Sequence, residues 1–140
     1  MKNRRAFMVI ALSLLAAIVL ITFIPLLTTP VRRPTNMVKD YILKTTPIGT
    51  SIEEVIEIIN NRNDWGLPMV SNEGFIPSPP FDVPGIAPPP IGEKTIRTNL
   101  GSYRAWYKWF PLMVWGVGAT WVFDAYGKLI EVHIMKVGGI

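Results

Sequence analysis

The only histidine of the chain, His133, lies two residues from Glu131 and nine from Asp124, in the stretch WVFDAYGKLIEVHIMK, Trp121 to Lys136. An imidazole beside a carboxylate is the pairing that general acid–base chemistry uses: the neutral ring takes a proton, and the acid orients the ring. A hydrolytic set needs a nucleophile as well. The chain has no cysteine, and no serine or second histidine is placed by spacing to complete one. LIEVHIMK alternates, so a strand would carry Glu131 and His133 on one face with Leu129 and Met135, and Ile130, Val132 and Ile134 on the other. Asp124 opens DAYG, the pattern of a type I turn with glycine where φ is positive, and a carboxylate in first place accepts the turn amides. Lys128 can pair loosely with it. A β-hairpin bearing a surface Glu–His pair explains the stretch. The alternative is a small hydrolase-type enzyme using His133 with Glu131 or Asp124, which requires a pocket around His133.

A second acidic set, Glu53, Glu54 and Glu57, sits in SIEEVIEIINN. No histidine is near, and Ser51 with Glu54 spells the S-x-x-E capping box, in which each side chain accepts from an otherwise unpaired amide at a helix start. The acids also lie where the helix dipole favours negative charge. Capping, rather than a metal site, accounts for them, and neither a metal nor a cofactor is expected.

Aromatic residues form the third set. Trp106, Tyr107, Trp109, Phe110, Trp115 and Trp121 fall within sixteen residues. In YRAWYKWF they occupy both alternating faces, so one face can be core while the other needs a ligand groove, a protein partner or a membrane interface. Trp106, Tyr107, Trp109 and Phe110 are the candidate partner-binding residues.

The elements that position these groups follow from periodicity. NMVKDYILK puts Val38, Tyr41 and Ile42 on one side of a short helix, with Thr35 as its candidate cap. Pro47 and Gly49 break it. Ile52, Val55, Ile56 and Ile59 make the apolar stripe of a second helix, and Trp65 is expected at the domain edge. MVSNEGF reads as a short strand. Pro77 to Pro90 holds seven prolines, a stiff exposed loop rather than a sheet interior. EKTIRTNL, SYRAWYKWF, MVWGVGATWVFD and LIEVHIMK are strands. In the third of these Trp115, Val117, Ala119, Trp121 and Phe123 share the core face. Gly116 and Gly118 leave the other face bare, the mark of a bulge or of another backbone approaching closely.

Composition bounds the location and the partners. Ala6 to Leu27 is 22 residues without a charge, and a helix of that length, at about 1.5 Å per residue, spans a hydrocarbon core of roughly 30 Å. Lys2, Arg4 and Arg5 precede it. The run is long for a cleaved leader, and PLLTTPVRR offers no clean cleavage site. The expectation is an uncleaved signal-anchor: residues 1–29 a cytoplasmic tail and single transmembrane helix, 30–36 a linker, and 37–140 an extracytoplasmic domain on a bacterial cytoplasmic membrane, with residues 6–27 in the lipid. The net charge of +4 does not point to nucleic acid, because residues 31–140 hold eleven basic and ten acidic side chains.

Two segments, PIGTSIEEVIEIINN and ATWVFDAYGKLIEVHIMK, resemble the BamE-like (SmpA/OmlA) outer-membrane assembly lipoproteins and the β-lactamase-inhibitor-protein fold. The first matches a glycine, a polar cap and an amphipathic helix in such domains. The second matches an aromatic strand, an FD-x-x-GKL turn and the last strand. IGEKTIRTNLGSYR is similar to uncharacterised membrane-anchored proteins of the same type. The lipid-attachment cysteine is absent and the proline-rich insert is unusual. The resemblance implies a non-catalytic protein-binding or assembly role, with another envelope protein as partner. The fold class expected is α+β: a transmembrane helix, then two short helices on an antiparallel meander of about four strands. A purely structural envelope protein is the remaining alternative.

Overall fold

The computed structural model describes residues 2–77, 88–104 and 114–139, with side chains described from residue 7 onward except at 22, 23 and 25–28. Two compact units result, Met1–Arg33 and Pro34–Ile140.

The first unit is a helix, α1 (Lys2–Thr28), followed by a 3-10 turn over Pro30–Arg32. The uncharged run does form a helix, but the transmembrane anchor expected of it is overturned: among the described residues no helix is long and apolar enough to cross a membrane. The single-pass placement in a bacterial cytoplasmic membrane falls with the anchor.

The second unit joins two helices, α2 (Thr35–Thr45) and α3 (Ile52–Asn60), to four antiparallel strands: β1 (Met69–Ser71), β2 (Lys94–Arg104), β3 (Val114–Phe123) and β4 (Leu129–Gly139). Their spatial order is their chain order, a plain meander. The α+β architecture expected for this part is the one found. Val38 and Ile42 of α2 and Val55 and Ile59 of α3 are buried, each such side chain contributing about 1.5–3 kcal/mol by leaving water. Tyr41 is half-buried and its hydroxyl accepts from Arg62 at 2.8 Å. Ser51 and Glu54 close the capping box in both directions. The cap expected of Thr35 does not form: Pro34 stands at that position, and no side chain caps α2. Pro34 fixes its own φ near the value that starts a helix, so the entry is set by backbone.

Register assigns the faces. Ile96, Trp121 and Val132 lie side by side across β2, β3 and β4, as do Thr98, Ala119 and Ile134. This is the core face, where Trp121 is fully buried. Its indole meets Trp65, ring centroids 5.9 Å apart, so Trp65 is core rather than edge. Two irregularities change the alternation read from sequence. Phe123 pairs with Leu129 while Val122 pairs with Glu131, leaving Ile130 as the extra residue. Leu129 therefore turns into the core and Ile130 is exposed, the reverse of the simple alternation. Leu100 is likewise extra between Asn99 and Gly101, and Gly101 takes the positive φ of 125° there.

The DAYG turn forms as expected. The Asp124 carbonyl accepts from the Gly127 amide, the Asp124 amide donates to the Lys128 carbonyl, and Gly127 has φ +70°, a type I turn closed by a glycine bulge. The stretch before α3 is bonded to this hairpin: the Gly49 amide donates to Leu129, the Leu129 amide to Thr50, and the Ile52 amide to Gly127.

Candidate functional site

The face opposite Trp121 carries the histidine. Thr95, Val122 and Glu131 form one row across it, Arg97, Thr120 and His133 the next, and Asn99, Gly118 and Met135 the third. Met69 and Ser71 of β1 extend the second and first rows.

One half of this face is covered. Phe75 and Ile91 exchange backbone hydrogen bonds at 2.8 Å, and Gly74 and Gly92 let the two passing strands approach closely. A side chain on Gly74 would collide with the Gly92 carbonyl, and one on Gly92 would stand 2.5 Å from Val122 Cγ1. Thr95 donates its hydroxyl to the Glu73 carbonyl at 3.2 Å. Phe75 then stacks on His133, centroids 4.1 Å apart and planes 22° from parallel. Val122 and Thr95 are buried on this half of the face, and Thr120, also buried, lines the groove that begins beside it.

His133 and Glu131 are brought together, with Nε2 3.4 Å from Oε1. The contact lacks hydrogen-bond geometry, and Nε2 is buried without a hydrogen-bond partner among the described residues. The same carboxylate oxygen lies 3.8 Å from Lys39 Nζ, a half-exposed pair of the kind that contributes about 0–1 kcal/mol. Asp124 is not part of this cluster. Its carboxylate accepts from the amides of Tyr126 at 2.9 Å and Lys128 at 2.8 Å, which occupies it in the turn. Among the described residues, no three His, Asp or Glu side chains converge as a metal site would require. Glu54 is held below the ordinary carboxylate range, chiefly by the Ser51 amide and then by the Ser51 hydroxyl, and so is spent on the helix start.

Among the described residues, the other half of the face is open. An apolar groove of about 540 Å³ runs between Leu67 and Met69 on one side and Met135 on the other, with Gly118 in its floor and Arg97 and Asn99 along it. Leu67 is 84% exposed, Met69 72% and Met135 55%, which is unusual for three large apolar side chains gathered at one place. Gly116 and Gly118 have no positive φ. A Cβ at Gly118 would meet only the Thr98 carbonyl at 3.6 Å, and one at Gly116 only the Val137 carbonyl at 3.9 Å, both ordinary contacts. Neither turn geometry nor crowding within the described chain requires glycine at these two places.

Trp106, Tyr107, Trp109 and Phe110, the aromatic candidates for partner binding, lie outside the described residues, as does 78–87 of the proline-rich loop. The groove contains residues that sequence reasoning did not assemble. The paired glycines signalled a bare face, but Met69 and Arg97 come together only through the β1–β2 register, and Leu67 is tied to β2 by the Thr98 hydroxyl, which donates to its carbonyl at 3.2 Å. No protein-family model, curated protein or solved structure matches this chain.

Proposed function

We propose that the protein is a non-catalytic binding module for a protein partner, the kind of role implied by the resemblance to BamE-like domains, and that its working surface is the open half of the sheet face over Gly116 and Gly118. The observation that carries this reading is the pair of glycines at i, i+2 in a paired strand, where side chains would fit. Glycine weakens a strand and is otherwise favoured where another backbone or a ligand comes close. The exposed thioethers of Met69 and Met135 flank that floor, and methionine suits a surface that must adapt to a bound chain. The polar groups that catalysis would use are engaged elsewhere: Asp124 in its turn, Glu131 toward Lys39, and His133 under Phe75. His133 is not among the residues lining the groove.

A displayed random-peptide library, panned on the immobilised full chain and on a Gly116→Val/Gly118→Val double variant, tests this. A family of related peptides enriched on the wild type and absent on the variant is the expected result. Equal enrichment on both, with the variant folded by circular dichroism, would remove the surface from consideration.

A further inference from the structure

Resting on that reading, we infer that the groove takes an extended peptide segment in which an apolar side chain stands two residues from an aspartate or glutamate. The floor at Gly118 and the side chain of Arg97 belong to adjacent rows of the same face, because Thr120, the register partner of Arg97, is two residues along β3 from Gly118. In an extended chain side chains on one side repeat at about 6.6–6.8 Å, the same step as the rows beneath it. A segment lying along β3 between Met69 and Met135 thus sets one side chain on the glycine floor and the next on that side beside Arg97.

The chemistry of each place follows from its lining. Gly118 in the floor and Leu67, Met69 and Met135 about it offer an apolar side chain contact, while Asn99, beside Gly118, has its Oδ1 occupied by the Gly101 amide at 2.8 Å. Arg97 is exposed and takes part in neither of the ion pairs found among the described residues, which use Lys39, His133 and Glu131. A guanidinium at the rim of an apolar channel selects a carboxylate, whose planar oxygens match its fork. The groove is open on its solvent side. A small-molecule site normally surrounds most of its ligand, whereas a peptide needs only one face covered, so the peptide is the occupant these walls fit.

Amide chemical shifts of the isotope-labelled full chain test the inference with three probes: a Gly/Ser nonapeptide with Leu and Glu two residues apart, the same peptide with Lys for Glu, and decanoate. The expected result is saturable shifts at Arg97, Gly118, Thr120 and Met135 with the Leu/Glu peptide, about tenfold weaker with the Leu/Lys peptide. Arg97→Glu, an exchange at an exposed position, is expected to invert that preference, and Arg97→Gln to abolish it. Equal affinity for both peptides would overturn the acidic requirement while leaving the binding surface standing. Decanoate shifting these amides when neither peptide does would replace the peptide with a small amphiphile. No shift with any probe, although panning enriches groove-dependent peptides, would discard this motif alone. No shift and no enrichment would discard the surface as well.

Discussion

The indole Nε1 of Trp121 donates to the hydroxyl oxygen of Thr46 at 2.9 Å, joining the centre of the sheet to the end of α2 across 75 residues of sequence. Thr46 in turn donates to the Ile42 carbonyl at 3.0 Å, so both polar groups are satisfied inside the core, where both residues are wholly buried. Burying Trp121 is favourable only while its N–H has a partner. Thr46→Val keeps the shape and removes the acceptor. It is expected to destabilise the fold by about 1–3 kcal/mol, the range for leaving a buried donor unpaired. Thr46→Ser, which keeps the hydroxyl, is expected to recover most of that loss. Urea unfolding followed by Trp fluorescence checks both, and equal losses would mean that the methyl group rather than the bond matters.

The glycines separate into those the backbone needs and those it does not. Gly127 has φ +70° but open space, its Cβ meeting Ile52 Cγ2 at an ordinary 3.6 Å. Gly127→Ala is expected to destabilise by about 1–2 kcal/mol through backbone conformation alone. Gly92 has φ +68° and an added Cβ 2.6 Å from the Phe123 carbonyl, so Gly92→Ala adds collision to strain. Its loss is expected to be larger than that of Gly127→Ala, and to disturb the Phe75–His133 stack. Denaturant midpoints of the two variants give the order, and the reverse order would contradict the packing described here.

Much of this architecture could be read from local signals, because those signals act locally. Ser51 and Glu54 are three residues apart and form their box; Asp124 and Gly127 form their turn; the alternation from Val117 to Phe123 gives the core face. The errors arise where one residue is added or where partners are distant. The bulges at Leu100 and Ile130 reverse local faces, and nothing in LIEVHIMK distinguishes its bulged start from a regular strand. Phe75 reaches His133 because Gly74 and Gly92 pack together, and Thr46 reaches Trp121 through the third dimension. The helix over the uncharged run was evident from composition, yet its expected span was not met. For the site, the bare face at Gly116 and Gly118 was visible, and the walls of the groove over Gly118 were not.

The capping box links stability to pH. Glu54 has its pKa lowered in the folded chain, first by the Ser51 amide and then by the Ser51 hydroxyl. Folding therefore favours the ionised form, so the contribution is fully present above the unfolded carboxylate pKa and is lost as pH falls through the lower folded value. Ser51→Ala removes the hydroxyl that accepts from the Glu54 amide and is expected to destabilise the protein by about 1 kcal/mol near neutral pH. The loss is expected to shrink below the ordinary carboxylate range. Thermal unfolding of both proteins across acid pH checks the sign: a gap that widens on acidification would rule out the mechanism.

The remaining pair, Gly116 and Gly118, gives the prediction that bears most directly on function. If no part of the chain needs the bare floor, adding a methyl group there should help the fold. Alanine restricts the unfolded chain more than glycine does, and both sites have ordinary strand geometry with room for a Cβ. Gly116→Ala and Gly118→Ala are each expected to raise stability by about 0.5–1 kcal/mol. Such a gain from simple substitutions means that the glycines are held at some expense to folding, as a surface kept clear for contact would require. Guanidinium unfolding of the two variants measures it. A loss of more than about 1 kcal/mol in either would mean that the chain itself closes over the floor, and the groove would then be packing rather than a place for a partner.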